Sequence, residues 1–345
     1  MRKLPLLLLS LAIISCVHRE KLYFTSDESE EVDSLSAIAQ TITAIPLETN
    51  AQCILTELKQ VKTAQSNIFI RSGNEIFCFN RSGLFINKIS VDNHAQIYKY
   101  TVDPDNRQVI VLDSLSLIHY YNYDGTPLFI KDAETSLPGE TILDLTYHDH
   151  FLWAVTKKVS DNKIIETWMY KLDITFGLLE GSQLANVNLG RFYLAGSFTS
   201  ELYVTNNKVY VYSPSSAKET ILQDTLHLVS SGQLNPGQLF PYKHDFPAYS
   251  IPLILGKRYL LASYRTNVLE SANYLFCYDT KTNQSFNMTG FRDDFFHTGI
   301  IKDLQPADIY SREYYFSKSG KDVLSAFPER KENDNPVLFF VQLYS

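Results

Sequence analysis

The chain has 345 residues, enough for two ordinary domains or one large all-β domain. Hydrophobic residues make up 45% and charged residues 20%, which excludes an intrinsically disordered chain. The formal net charge is −7 and no basic stripe is present, which argues against a nucleic-acid partner, because that binding rests on neutralising phosphates. Aromatic residues reach 13%, with 22 Tyr and 21 Phe, side chains that suit pleated, half-buried β surfaces.

The N-terminus opens with Arg2 and Lys3. An apolar run from Leu4 to Ile14 follows, too short to span a bilayer, which takes about 20 residues. The run ends in Ile13-Ile14-Ser15-Cys16, two aliphatic residues and a small one before a cysteine. This resembles the lipobox of bacterial lipoproteins. The resemblance implies cleavage before Cys16, lipidation of its sulfur and acylation of the new amine, so residues 1–16 read as a lipoprotein signal peptide. Several acyl chains, at about 0.8 kcal/mol per buried CH₂, anchor durably where one does not. The alternative is a plain secretory signal with an incidental Cys16; export follows under either reading. No later segment is long and apolar enough for a transmembrane helix. Residues 17–40 read as a polar acidic tether carrying Asp27, Glu28, Glu30, Glu31 and Asp33, with one turn of helix expected at Leu35 to Ala39. Val17-His18-Arg19-Glu20 lacks the acidic cluster that resembles surface-export signals, so the expected location is the outer membrane, facing the periplasm.

From Thr41 the pattern is short apolar strands between turn residues. Ile68-Phe69-Ile70, Gly73-Asn74 and Glu75 to Phe79 make one hairpin, and Asn80-Arg81-Ser82-Gly83 turns the chain into Leu84 to Ile89. Val109 to Leu112, Asp113-Ser114, Leu117 to Asn122 and Tyr123-Asp124-Gly125 repeat the arrangement. Gly83 and Gly125 occupy equivalent turn positions that call for positive φ. Apolar runs that read as the second strand of successive units start at Ile68, Val109, Phe151, Val209, Tyr259 and Tyr314, in steps of 41, 42, 58, 50 and 55 residues. A repeat of about 40–50 residues with four strands is propeller spacing. The expected fold is therefore all-β: a six-bladed β-propeller of four-stranded antiparallel blades over residues 41–345. An open sheet edge invites aggregation, so the early strand Thr41 to Leu47 is expected to pair with the last blade, beside Val337 to Leu343, and close the ring. Cys53, Cys78 and Cys277 are an odd set without metal or redox spacing, and Cys78 and Cys277 read as small apolar residues in strands.

Ile45-Pro46-Leu47-Glu48-Thr49 at the start, Phe77 to Ile89, Val102-Asp103-Pro104, and Asn333-Asp334-Asn335-Pro336-Val337-Leu338 at the end together resemble the six-bladed propeller lipoproteins of Gram-negative gut anaerobes, relatives of NHL-repeat propellers. The resemblance covers nearly the whole mature chain and implies the propeller fold and an envelope location. A glycine-rich loop common in those proteins is replaced by Ser90 to Tyr98.

Three segments concentrate chemistry. His148-Asp149-His150 could place His148 and His150 on a metal, but its flanking strands favour a polar hairpin turn. Arg292-Asp293-Asp294-Phe295-Phe296-His297 offers two carboxylates and an imidazole between blades five and six, so Asp293, Asp294 and His297 are the candidate ligand-site residues, against the reading of a plain exposed loop. Tyr242-Lys243-His244-Asp245-Phe246-Pro247-Ala248-Tyr249 suits a sugar or peptide, or simple packing. No motif of a hydrolase elbow, zinc protease, phosphate loop or dinucleotide site occurs, and no cofactor is identified. The expected function is a binding or protein-interaction module, with an envelope protein, a peptide or a glycan as partner. The alternative is a metal-dependent hydrolase or lyase using Asp294 and His297 in the central funnel.

Overall fold

The structure is a computed structural model that describes residues 33–91, 95–159, 164–188, 201–205, 208–213, 223–230, 233–241, 249–255, 258–265, 274–279, 281–282, 284–302, 304–307 and 313–344. Its strands form six four-stranded antiparallel sheets and one small three-stranded sheet. Sheet one is Gln60–Ala64, Asn67–Ser72, Glu75–Asn80 and Phe85–Ser90. Sheet two is Ile97–Asp103, Gln108–Asp113, Leu117–Asn122 and Pro127–Asp132, and sheet three is Thr141–His148, Phe151–Val159, Ile164–Leu172 and Leu178–Asn188. Sheet four is Glu201–Thr205, Lys208–Ser213, Gln223–Ser230 and Gln233–Pro241, and sheet five is Tyr249–Leu255, Tyr259–Arg265, Tyr274–Asp279 and Gln284–Met288. Sheet six takes Gln305–Pro306, Glu313–Lys318 and Val337–Leu343 from the end of the chain and Ala39–Pro46 from its beginning. Each meander follows from β-branched and aromatic runs punctuated by residues that accept turn geometry. All six apolar runs singled out by spacing fall on the second strand of a sheet. Gly83 and Gly125 have φ of +83° and +87°, as their turn positions demand.

Hydrogen bonds from the first strands join several neighbouring sheets. The Tyr147 amide donates to Thr101 Oγ1 at 2.9 Å, joining sheets three and two. The Tyr100 hydroxyl donates to the Phe69 carbonyl at 2.8 Å, joining sheets two and one. The Thr63 amide donates to the Ala307 carbonyl at 2.8 Å, joining sheets one and six. Apolar side chains fill the wedges between sheets: Tyr100, Val109 and Phe69 between one and two, Tyr120, Tyr147 and Leu152 between two and three, and Phe316, Phe339 and Leu275 between five and six. Cys53, Cys78 and Cys277 are buried thiols, and burial pushes Cys78 and Cys277 up to about 12, which leaves them unreactive near neutral pH.

The two ends of the chain meet in sheet six. Ala39–Pro46 pairs antiparallel with Val337–Leu343, Ile42 opposite Val341 and Pro46 opposite Val337. The segments that carry the family resemblance knot this junction. The Asn335 side chain accepts from the Leu55 amide at 2.8 Å and donates to the Glu48 carbonyl at 2.6 Å and to the Cys53 carbonyl. The Glu48 carboxylate accepts from the Phe85 amide and from Asn50 Nδ2, both at 2.8 Å, and these bonds hold it below the usual carboxylate range. Arg330 spans Leu47 and Asn335 through bonds to their carbonyls.

The folded part reaches further toward the N-terminus than the expected boundary at Thr41. Asp33–Ser34 runs parallel to Phe291–Asp293, which pairs in turn with Gly299–Ile301. Leu35–Ala37 forms a turn of 3₁₀ helix, and Leu35, Ile38 and Ala39 are buried in the wedge between sheets five and six. The turn of helix expected from the apolar stretch Leu35 to Ala39 is present, and its apolar side chains dock it on the fold instead of leaving it in the tether.

Sheet five ends in an ion pair. The Arg258 guanidinium grips Asp279 through Nε and Nη2, the latter at 2.9 Å, and holds its carboxyl below the usual value of 3.8. A lowered folded-state pKa stabilises the fold above the unfolded value, and that contribution disappears as pH falls through the folded value. On acidification from about pH 5 to about pH 3 the unfolding temperature of the wild type is therefore expected to fall more steeply than that of Asp279→Asn. Parallel curves for the two proteins would show that the pair is not linked to folding.

Candidate functional site

Sheet three carries a polar and aromatic ledge on the side that faces sheet two. Its third strand alternates, so Glu166, Trp168 and Tyr170 share one face, with Thr156 opposite Trp168 and Lys158 opposite Glu166 in register. The Trp168 and Tyr170 rings are parallel to within 7°, with centroids 6.0 Å apart. Glu140 arrives from the connection between sheets two and three. Its Oε1 accepts from the Tyr170 hydroxyl at 2.9 Å and its Oε2 accepts from the Thr156 hydroxyl. Trp168 Nε1–H donates to Glu166 Oε2 at 3.0 Å. Burial, the bond to Glu140 and the charges of Glu140 and Glu166 all push the Tyr170 phenol upward, so it stays a hydrogen-bond donor. Opposite Tyr170 sits Gly181, where a Cβ would fall 2.6 Å from Tyr170 Cε1. Tyr170 packs on the margin of the core between sheets two and three, whereas Trp168 stands beyond it and is half-buried.

The sequence-derived candidates fall elsewhere. Asp149-His150 is a two-residue hairpin turn, with φ of +50° and +67°, and His148 ends the preceding strand opposite Phe151. His148 is buried there and His150 sits exposed in the turn, so the turn sets the two imidazoles apart. His150 Nδ1 lies 2.9 Å from Asp105 Oδ2, which also accepts from the Tyr147 hydroxyl at 2.5 Å. Among the described residues no three His, Cys, Asp or Glu side chains gather closely enough to hold a metal ion.

Asp293 is buried in the small sheet, not set in an exposed loop. Its carboxylate accepts from the Phe295, Phe296 and Thr298 amides and from the Thr298 hydroxyl, which shapes the turn after it. Asp294 accepts from the Ser36 amide at 3.1 Å and so ties down the N-terminal segment. Burial opposes ionisation of Asp294, but the Ser36 bonds outweigh it and its carboxyl lies below the usual value. His297 is exposed at φ +57°. Cys16 and residues 242–248 lie outside the described residues.

Residue order does not mark the ledge, because its strand alternates between two mixed faces. Glu, Trp and Tyr occupy one face and Thr, Met and Lys the other, so the pattern alone does not say which faces a neighbour. The one available signal was a tryptophan, one of two in the chain, two residues from a tyrosine on the same strand.

Successive four-stranded antiparallel meanders, the last of them completed by Ala39–Pro46 beside Val337–Leu343, are the architecture of a β-propeller. Within that class the chain belongs to the family described as Domain of unknown function (DUF4934), which matches residues 24–342. A Bacteroides fragilis protein described as exported shares the fold, with a TM-score of 0.69 at 17% identity, over 94% of this chain and 99% of that one. A protein of Bacteroides caccae aligns over 73% of this chain and 82% of its own at 9% identity and a TM-score of 0.42. The WD40 repeats of RRP9 align over 91% and 99% at 11% identity and a TM-score of 0.44. No curated protein matches the chain. No described helix is long and apolar enough to cross a membrane.

Proposed function

We propose that the chain is an exported propeller lipoprotein, anchored through Cys16 to the outer membrane and facing the periplasm, that works as a binding module. The observation that carries the binding role is the ledge on sheet three. An aromatic pair and two carboxylates are held in fixed orientation beside the core but are not consumed by it. A core aromatic disappears between sheets; Trp168 stands outside and has its indole N–H oriented by Glu166. Such pre-set groups suit recognition, since little freedom is lost on binding. His297 is a candidate second contact on the exposed part of its segment. The lipobox-like run before Cys16 supports the anchor, and the pairing of Ala39–Pro46 with Val337–Leu343 supports closure of six blades into one ring. The reading sets the chain beside the NHL-like lipoprotein propellers that its sequence resembles.

Two measurements test it. Cells fed a radiolabelled fatty acid are expected to label the wild type and not Cys16→Ser, which then leaves the membrane fraction; label retained on Cys16→Ser removes the anchor. Immobilised mature protein is expected to retain a defined component of solubilised envelopes, and Trp168→Ala is expected to lose it. Retention of nothing, or retention indifferent to Trp168, counts against the binding role.

A further inference from the structure

We infer that the ledge on sheet three is a carbohydrate site that takes the face of a neutral pyranose. The inference rests on the binding-module reading and names its ligand class. A pyranose presents a C–H face to an aromatic ring and a rim of hydroxyl donors around it. Trp168 supplies a large apolar ring beyond the packed core, and the parallel Tyr170 ring fixes its tilt. Both aromatic polar hydrogens are already spent on carboxylates. Glu166 and Glu140 are thereby held in place at the two ends of the aromatic pair. Each carboxylate has about four lone-pair directions and uses one or two of them here, so acceptor capacity is left for sugar hydroxyls.

Charge decides between ligand classes. Two carboxylates beside aromatic rings would also attract a lysine or arginine side chain. Lys158 stands opposite Glu166 in the strand register, however, and offsets part of that negative charge. A uronic acid or sulfated sugar would meet two carboxylates and be repelled. A neutral sugar needs neither charge and uses the acceptors as they stand.

The test is affinity electrophoresis of the mature chain in gels containing soluble starch, laminarin, xylan or mannan, with tryptophan fluorescence followed in solution. At least one polysaccharide is expected to slow the wild type and shift its emission. Trp168→Ala is expected to weaken that retention about tenfold or more, the scale of losing a central aromatic contact. Tyr170→Phe keeps the ring and frees Glu140, so a loss of several-fold is expected. Lys59→Ala, an exposed change just before sheet one, is expected to be slowed by the polysaccharide as much as the wild type is, each compared with its own migration in a gel without polysaccharide. Circular dichroism shows whether each variant is folded, and Tyr170→Phe carries the test if Trp168→Ala is not. Normal migration in every gel overturns the assignment, as does retention unchanged in both ledge variants. A tetralysine peptide that shifts the emission where no polysaccharide does would assign the ledge to a basic peptide instead. If envelopes still yield a retained protein while every polysaccharide fails, the binding role stands and the sugar assignment falls.

Discussion

Gly83→Ala is expected to unfold this protein or come close to it. Gly83 sits at φ +83°, and a side chain there costs about 1–2 kcal/mol through backbone strain alone. The larger effect is steric. A Cβ at Gly83 would lie 2.1 Å from the Pro46 carbonyl oxygen and 3.0 Å from its carbonyl carbon. Both atoms are backbone and belong to the strand that completes sheet six, so no side-chain rotation relieves the overlap. The Gly83 carbonyl also accepts from the Glu48 amide at 2.8 Å, so moving the turn breaks a bond at the same junction. The combined cost is expected to exceed about 4 kcal/mol, in the range reserved for named structural damage. Gly299→Ala is the matched control: φ is +90°, but nothing among the described residues lies within 4 Å of the added carbon. It is expected to cost only the strain, about 1–2 kcal/mol. Urea unfolding of the pair separates the two contributions, and similar losses for both would remove the steric claim.

Asn335→Ala is expected to be the next most damaging change. Asn335 is 4% exposed, and its side chain closes three bonds between the end of the chain and residues 48–55. Alanine leaves the Leu55 amide and the Glu48 and Cys53 carbonyls without that partner. Each unsatisfied buried group costs about 1–3 kcal/mol, so a total of about 3–5 kcal/mol is expected after partial relaxation. Asn335→Asp is expected to be no better: it keeps the acceptor for Leu55 and turns a carboxylate oxygen toward two carbonyl oxygens. Asn333→Ala, two residues earlier and exposed, is expected to stay within about 0.5 kcal/mol of the wild type. Hydrogen exchange adds a local readout. In Asn335→Ala the amides of Ala39–Pro46 are expected to lose protection before those of sheet two, because the strand they occupy is stitched on by this knot. Uniform loss across both would show that the junction does not open separately.

The two changes meet at one place. The segments that most specify the family resemblance, Ile45 to Thr49 and Asn333 to Leu338, are the segments that join the ends of the chain. A propeller whose last sheet borrows a strand from the other terminus needs a lock there, since only long-range contacts hold that strand in place. Asn335, Glu48, Arg330 and Gly83 supply hydrogen bonds and a close backbone approach that few other residue types could provide.

Alternation and turn chemistry are local properties, and they were legible from residue order alone. Ile68–Ile70, Val109–Leu112 and the other apolar runs landed on second strands because a strand with two covered faces needs a run of apolar residues. Gly83 and Gly125 landed on positive φ because a tight turn leaves few alternatives. The turn at Asp293 is local, built by amides two to five residues on, but burial of Leu35 and the docking of Ser36 on Asp294 were not legible, since each depends on partners more than 200 residues away. The ledge of Trp168, Tyr170, Glu140 and Glu166 belongs with these. Residue order places Trp168 and Tyr170 on one side of a strand, but only the packing of sheet three against sheet two leaves one ring outside the core and brings Glu140 to the other.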